Sequence, residues 1–201
     1  KPIIGIFICL TIMFIIGFVD DIKGLSAKTK LLVQILAALV LVKFGVMISF
    51  VPQIPGERTI EAVITIIWVI GITNAINFLD GMDGLCTGLC IISATCFFII
   101  AWPTRQSDLG YFTIALIGSA LGFLPYNLRP AKIFLGDSGS TLIGFSLASI
   151  AVLGSWAHKD AVKALSIPIL ILGIPIFDMI YTTISRIKNG TVKTVKEWLE
   201  Y

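Results

Sequence analysis

Acidic and amide side chains recur at the ends of the apolar runs of this chain. Asp20 and Asp21 stand together after residues 1–19, Asn74, Asn77, Asp80 and Asp83 close a second run, and Asp137 lies in Gly136-Asp137-Ser138-Gly139-Ser140 at the head of another. A charge at the centre of a bilayer costs about 2.5–3.5 kcal/mol on insertion scales, so acids bordering hydrophobic spans are kept for a purpose. Magnesium takes oxygen ligands, typically one or two carboxylates plus substrate phosphates. The five aspartates, the two asparagines and the lysines between them therefore suit a Mg²⁺-assisted reaction on a phosphate ester, with Mn²⁺ as a substitute.

Each motif has its own logic. Neighbouring carboxylates such as Asp20 and Asp21 repel unless a cation sits close, and Lys23, Lys28, Lys30 or a divalent metal could supply it; the plainer reading is a solvated loop whose acids cap the next helix. On a helix, Asn74, Asn77 and, less closely, Asp80 share a face. Gly81 and Gly84 then break that helix and expose backbone N–H groups suited to phosphate or carbonyl oxygens. Asp137, flanked by glycines and followed by Ser138 and Ser140, aims a carboxylate and free N–H groups into one space, with Arg129 and Lys132 adding positive charge nearby.

The elements that must hold these groups are membrane helices. The chain has 201 residues, 57% hydrophobic and 13% charged, with a mean hydropathy of +0.98. Apolar windows near 2–19, 31–50, 60–78, 86–102, 109–125, 140–157 and 164–185 predict an all-α transmembrane bundle of about seven spans. Residues 49–58, with a strand-like start and a Pro/Gly turn, predict a small hairpin outside the membrane. Glycines within spans (Gly71, Gly88, Gly118, Gly122, Gly144, Gly173) read as helix contacts, Gly118 and Gly122 as a GxxxG. The abrupt opening at Lys1 and the amphipathic start at 193–201 read as those of a fragment.

If each span reverses direction, loops 20–30, 74–85, 126–139 and 186–201 share one side, which also carries the larger number of Lys and Arg residues, as expected of a cytoplasmic face. His158 falls on the far side as a loop residue, and Cys9, Cys86, Cys90 and Cys96 read as packing residues. A net charge of +3 implies no nucleic-acid partner. Walker A and Rossmann glycine patterns are missing, which excludes a soluble-type nucleotide fold. An active site at the membrane surface would let a water-soluble phosphate donor meet a lipid acceptor.

The stretches GFVDDIKGLSAKTKLLVQ, NAINFLDGMDGL and FLPYNLRPAKIFLGDSGSTLIGF resemble the polyprenyl-phosphate N-acetylhexosamine-1-phosphate transferases, in order and over nearly the whole chain. The resemblance implies transfer of a sugar-1-phosphate from a UDP-sugar to undecaprenyl phosphate, releasing UMP, at the cytoplasmic face of a bacterial inner membrane. It places Mg²⁺ on Asp137 and Asn77, the acceptor phosphate with Asp20 beside Asp21, the donor diphosphate on Lys30, and the uridine against Asp83 and Phe134. Asn74, Asp80, Arg129 and Lys132 are further candidates for the substrate. The short link between Asp21 and LSAKTK favours UDP-GlcNAc over the UDP-MurNAc-pentapeptide alternative. Membrane lipids and a homodimer complete the expected partners. The family's His-rich loop, opening helices and final helix have no counterpart here.

Two rivals fit less well. Asp80, Asp83 and Gly84 satisfy the start of a CDP-alcohol phosphotransferase signature, but Thr87-Gly88 stand where Ala-Arg is needed. An ion-coupled transporter would place its acids near span midpoints, whereas these crowd one border. Asp178, deeper in the last span, reads as a structural charge.

Overall fold

In the computed structural model, residues 1–48, 56–157 and 161–188 are described, and among them every regular element is a helix. The helices are α1 (Pro2–Lys23), α2 (Ala27–Lys43), α3 (Glu57–Leu79), α4 (Leu85–Ala101), α5 (Ser107–Asn127), α6 (Gly136–Leu153), α7 (Ala161–Ile171) and α8 (Gly173–Lys188).

Helix α6 is the centre of the bundle. Two-thirds (67%) of its apolar window is buried, against 33% for α1 and 39% for α3, so α1 and α3 are its inner neighbours and face lipid elsewhere. Its sequence explains the position: Ser140, Gly144, Ser146, Ala148, Ser149 and Ala151 are small and let other backbones approach. A side chain at Gly144 would lie 2.8 Å from Thr73 Cα on α3, and one at Gly17 of α1 would lie 2.5 Å from Ser138 Cα on α6. The first contact seats α3 against the middle of α6, and the second brings the end of α1 against its start. Several hydroxyls inside the bundle are satisfied locally: those of Thr65, Thr73 and Thr113 each donate to the carbonyl four residues back.

Outside this core the large apolar residues face outward, with Ile4, Phe14, Ile15 and Phe18 of α1 all about half exposed. A contiguous apolar surface of that kind belongs in lipid, and the protein is an integral membrane protein. Helices α1, α3, α5 and α6 are long and apolar enough to cross a membrane, and α7 with α8 makes a fifth candidate.

Several expectations change. Each of the seven apolar windows falls on a helix, the last on two. Helices α2 and α4 have only 17 residues each, about 26 Å against a hydrocarbon core of about 30 Å. Among the described residues four helices, or five with α7 and α8 taken as one, are therefore long enough to cross rather than seven. The α2 window stops early because Gly45 turns the chain at a φ of 86°. The last window is broken: α7 and α8 meet at 71°, where Pro168 and Pro175 each remove a backbone donor. Of the hairpin expected at 49–58, residues 49–55 lie outside the described residues, and Glu57 and Arg58 already belong to α3. Gly144 packs against a neighbouring helix, but Gly71, Gly88, Gly118, Gly122 and Gly173 have nothing within 4 Å of where a side chain would begin, so the GxxxG does not pack within the described chain.

Candidate active site

The first motif is helical rather than a loop. Helix α1 runs through Asp20 and Asp21 to Lys23 and stops at Gly24, whose φ is 64°. Adjacent residues on a helix point about 100° apart, so the two acids do different things. Asp20, with only 8% of its side chain exposed, accepts from Lys30 Nζ at 2.9 Å and from the Leu25 amide. Asp21 is exposed and reaches α6, where one carboxylate oxygen accepts from Asp137 N–H (2.7 Å) and the other from Ser138 N–H (3.1 Å). The free amides expected at this helix start are therefore capped by a carboxylate from another helix, the anion that such a terminus favours. Gly136 makes the approach possible: its φ is 64°, and a side chain there would lie 2.8 Å from an Asp21 oxygen.

Asp137 is the hub. Lys30 Nζ donates to its Oδ2 at 2.6 Å, and Asn77 Nδ2 donates to its Oδ1 at 3.0 Å and to Ser140 Oγ at 2.8 Å. Lys30 follows Ser26, whose hydroxyl caps α2 by accepting from Thr29 N–H. Asp80 closes α3 as its C-cap residue, three positions past Asn77. Burial, with the negative charges of Asp137 and Asp21, pushes the Asp80 carboxyl up to about 6. The cluster holds four carboxylates (Asp20, Asp21, Asp80, Asp137) against one ammonium, a net negative site open on the Asp21 side.

That shift has a sign that can be tested. The Asp80 pKa rises from 3.8 to about 6 on folding, so the folded chain binds the proton more tightly than the unfolded one, and the resulting stability is full below pH 3.8 and lost as pH rises through 6. Asp80→Asn should raise the thermal midpoint of the intact protein in EDTA at pH 7.5, and the gain should vanish toward pH 4. Thermal scans over that range check it; a gain independent of pH would remove the ionised Asp80 as its cause.

The other candidates are arranged around this hub. Asn74 points away from it, exchanging hydrogen bonds with Gln34 of α2. A spacing of three turns a helical side chain by about 60°, enough to move from the α6 side to the α2 side. Asp83 is exposed and accepts from the Ala131 amide at 3.1 Å, tying the turn after α3 to the loop after α5. That loop carries Arg129, Lys132 and Phe134, all exposed, Phe134 at 66%. Its backbone is fixed by the buried Asn127, which accepts from Thr87 and donates to the Ile133 carbonyl, so exposed side chains stand on a held frame. Arg186 of α8 lies over the Phe78 ring at 5.4 Å, a cation held at the C-terminal end of α3 by an aromatic face.

Among the described residues no three carboxylate, imidazole or thiolate groups form a metal cage. The donor set fits Mg²⁺ in another way: oxygen groups of net negative charge, with Asp137 central and Asn77 Oδ1 accepting no hydrogen bond among the described residues. A hard cation that keeps waters and shares substrate phosphates needs few protein ligands.

Three sequence motifs thus meet on one carboxylate, and the sequence profile of glycosyl transferase family 4 matches residues 3–155. The chain belongs to glycosyl transferase family 4. Among its relatives, a Bacillus subtilis protein named as a probable undecaprenyl-phosphate N-acetylglucosaminyl 1-phosphate transferase is 38% identical over 183 residues, 89% of this chain and 51% of its own length. A decaprenyl-phosphate N-acetylglucosaminephosphotransferase of Mycobacterium leprae is 36% identical over 200 residues, 87% of this chain and 50% of its own. A phospho-N-acetylmuramoyl-pentapeptide-transferase of Levilactobacillus brevis is 40% identical over 138 residues, 65% of this chain and 43% of its own. The chain spans about half the length of these curated relatives.

Gln34 carried no expectation, although it is the lone polar residue in 31–42 and is buried at 4% exposure. An amide in an apolar span needs a partner, which was the available signal.

Proposed function

We propose that the intact protein transfers N-acetylglucosamine-1-phosphate from its UDP-sugar to undecaprenyl phosphate, releasing UMP, at the cytoplasmic face of a bacterial inner membrane. The observation that carries this reading is the meeting of Lys30, Asn77 and Asp21 around Asp137, at the ends of helices whose other faces are apolar. The names of the relatives supply the two substrate classes. Asp137 and Asn77 would hold Mg²⁺, which when bound would neutralise the donor diphosphate.

The remaining work falls to the chain. Lys30 offers an ammonium to the donor diphosphate while Asp20 orients it. An oxygen of the lipid phosphate attacks the sugar-bearing phosphorus, a new P–O bond forms, the bond to the bridging oxygen breaks, and UMP leaves with that oxygen. Asp20, beside the ammonium, is the base for an acceptor phosphate that arrives protonated. Phe134 offers a ring face to uracil with Asp83 at its edge, and Arg129 and Lys132 draw in the anionic donor. Asp21, by holding the start of α6, keeps Asp137 aimed. Positioning and charge stabilisation supply most of the rate in phosphoryl transfer.

The test is an assay of the intact protein in detergent with radiolabelled UDP-GlcNAc, undecaprenyl phosphate and Mg²⁺, beside a parallel arm with UDP-MurNAc-pentapeptide. UMP release and lipid-linked label with the first donor alone is the expected result. Product with the second donor alone moves the chain to the muramoyl reaction; no product with either from folded protein ends the reading.

A further inference from the structure

We infer that Gln34 and Asn74 form a positioning pair that sets the separation of Lys30 and Asn77 across Asp137; this rests on the function proposed above. Gln34 Nε2 donates to Asn74 Oδ1 at 3.2 Å, Asn74 Nδ2 donates to Gln34 Oε1 at 2.8 Å, and the same Nδ2 reaches the Ile70 carbonyl at 2.9 Å. The amide of Asn74 is thereby engaged on both its atoms, which makes it a part of the frame rather than a group held ready for substrate.

The placement gives the pair its role. Gln34 lies four residues after Lys30 on α2, and Asn74 lies three residues before Asn77 on α3, so each amide sits about one turn behind a group that touches Asp137. Lys30 and Asn77 take opposite oxygens of the Asp137 carboxylate. Three ties result: α2 to α6 through Lys30 and Asp137, α3 to α6 through Asn77 and Asp137, and α2 to α3 through Gln34 and Asn74. The first is remade when a substrate diphosphate draws the Lys30 ammonium toward itself. The third is independent of substrate, and together with the direct packing of α2 on α3 it keeps the two helices at their spacing. Amides in an apolar span favour each other over lipid, and a cross-helix bond of this kind makes a small contribution. That is modest for stability, whereas a misplacement of about 1 Å costs about 100-fold in rate.

The experiment compares kcat, KM for UDP-GlcNAc and thermal midpoint for the intact protein and two double variants. Gln34→Leu with Asn74→Leu replaces both amides by apolar groups, leaving no orphaned partner, so the fold should survive. Its kcat should fall about ten-fold or more with little change in KM. Gln34→Asn with Asn74→Gln reverses the pair at the same total length and should recover most of that loss. Wild-type kcat in the double-leucine protein overturns the inference, as does a rise in KM at unchanged kcat, which would mean that Asn74 meets substrate. Should the double-leucine protein not fold, Gln34→Met, which keeps the volume, is read in the same way. Lys30→Met and Asp137→Asn run alongside: if they too keep full turnover, the proposed reaction centre is wrong, and if they lose it while the double-leucine protein does not, only the positioning role fails.

Discussion

Asp137→Asn should lower turnover by about 1,000-fold while leaving the protein folded. The substitution keeps the shape of the side chain, so the packing of α6 against α1 and α3, which runs through Gly17 and Gly144, is undisturbed. What it removes is one negative charge and one strong acceptor at the point where Lys30 Nζ and Asn77 Nδ2 converge. Loss of a single preorganised group at developing charge costs about 100- to 1,000-fold elsewhere, and a residue that would both hold a cation and orient a lysine falls at the upper end. Two measurements check this together: UMP release in a single turnover, and the Mg²⁺ concentration giving half-maximal rate, which should rise. Turnover within about ten-fold of wild type would take Asp137 out of the centre of the reaction.

The grouping of these residues was legible in the sequence because membrane helices reverse direction, and reversal sorts loops into two sets by counting alone. Asp20, Asp21, Lys30, Asn77, Asp80 and Asp137 were assigned to one side on that basis and meet there. Which residue faces which helix was not legible. Asp20 and Asp21 look equivalent as a pair, yet a single residue step of about 100° along α1 sends the first into the interior and the second onto the α6 amides. Asn74 and Asn77 look like one ligand set, but the rotation between them divides them between α2 and α6. The break at Leu172 was missed for a different reason: a hydropathy window registers composition and ignores direction, so two short helices meeting at 71° read as one span. The glycines show the same gap, since closeness at Gly17 and Gly144 depends on which face α6 presents, a property of the assembled bundle.

Lys30→Met is the second substitution with a large expected effect, and its consequences divide into two parts. The ammonium bridges Asp20 at 2.9 Å and Asp137 at 2.6 Å, and Asp20 is 8% exposed, so removing the cation leaves a nearly buried carboxylate facing another. Truncating one partner of a hydrogen-bonded charge pair costs about 2–5 kcal/mol, and the side chain of Lys30, 31% exposed, belongs at the low end. The thermal midpoint should therefore fall, and kcat should fall about 100-fold because the donor diphosphate loses its ammonium. Adding Asp20→Asn to Lys30→Met separates the two: it relieves the repulsion and should restore the midpoint. Turnover should stay at least as low, because the ammonium is still missing and the Asp20 base is removed as well. Recovery of turnover along with stability would make Lys30 a structural counter-ion only. Lys30→Arg should recover little, because a planar guanidinium fork suits one carboxylate in the plane of its donors, whereas here a single nitrogen must serve two carboxylates on different helices.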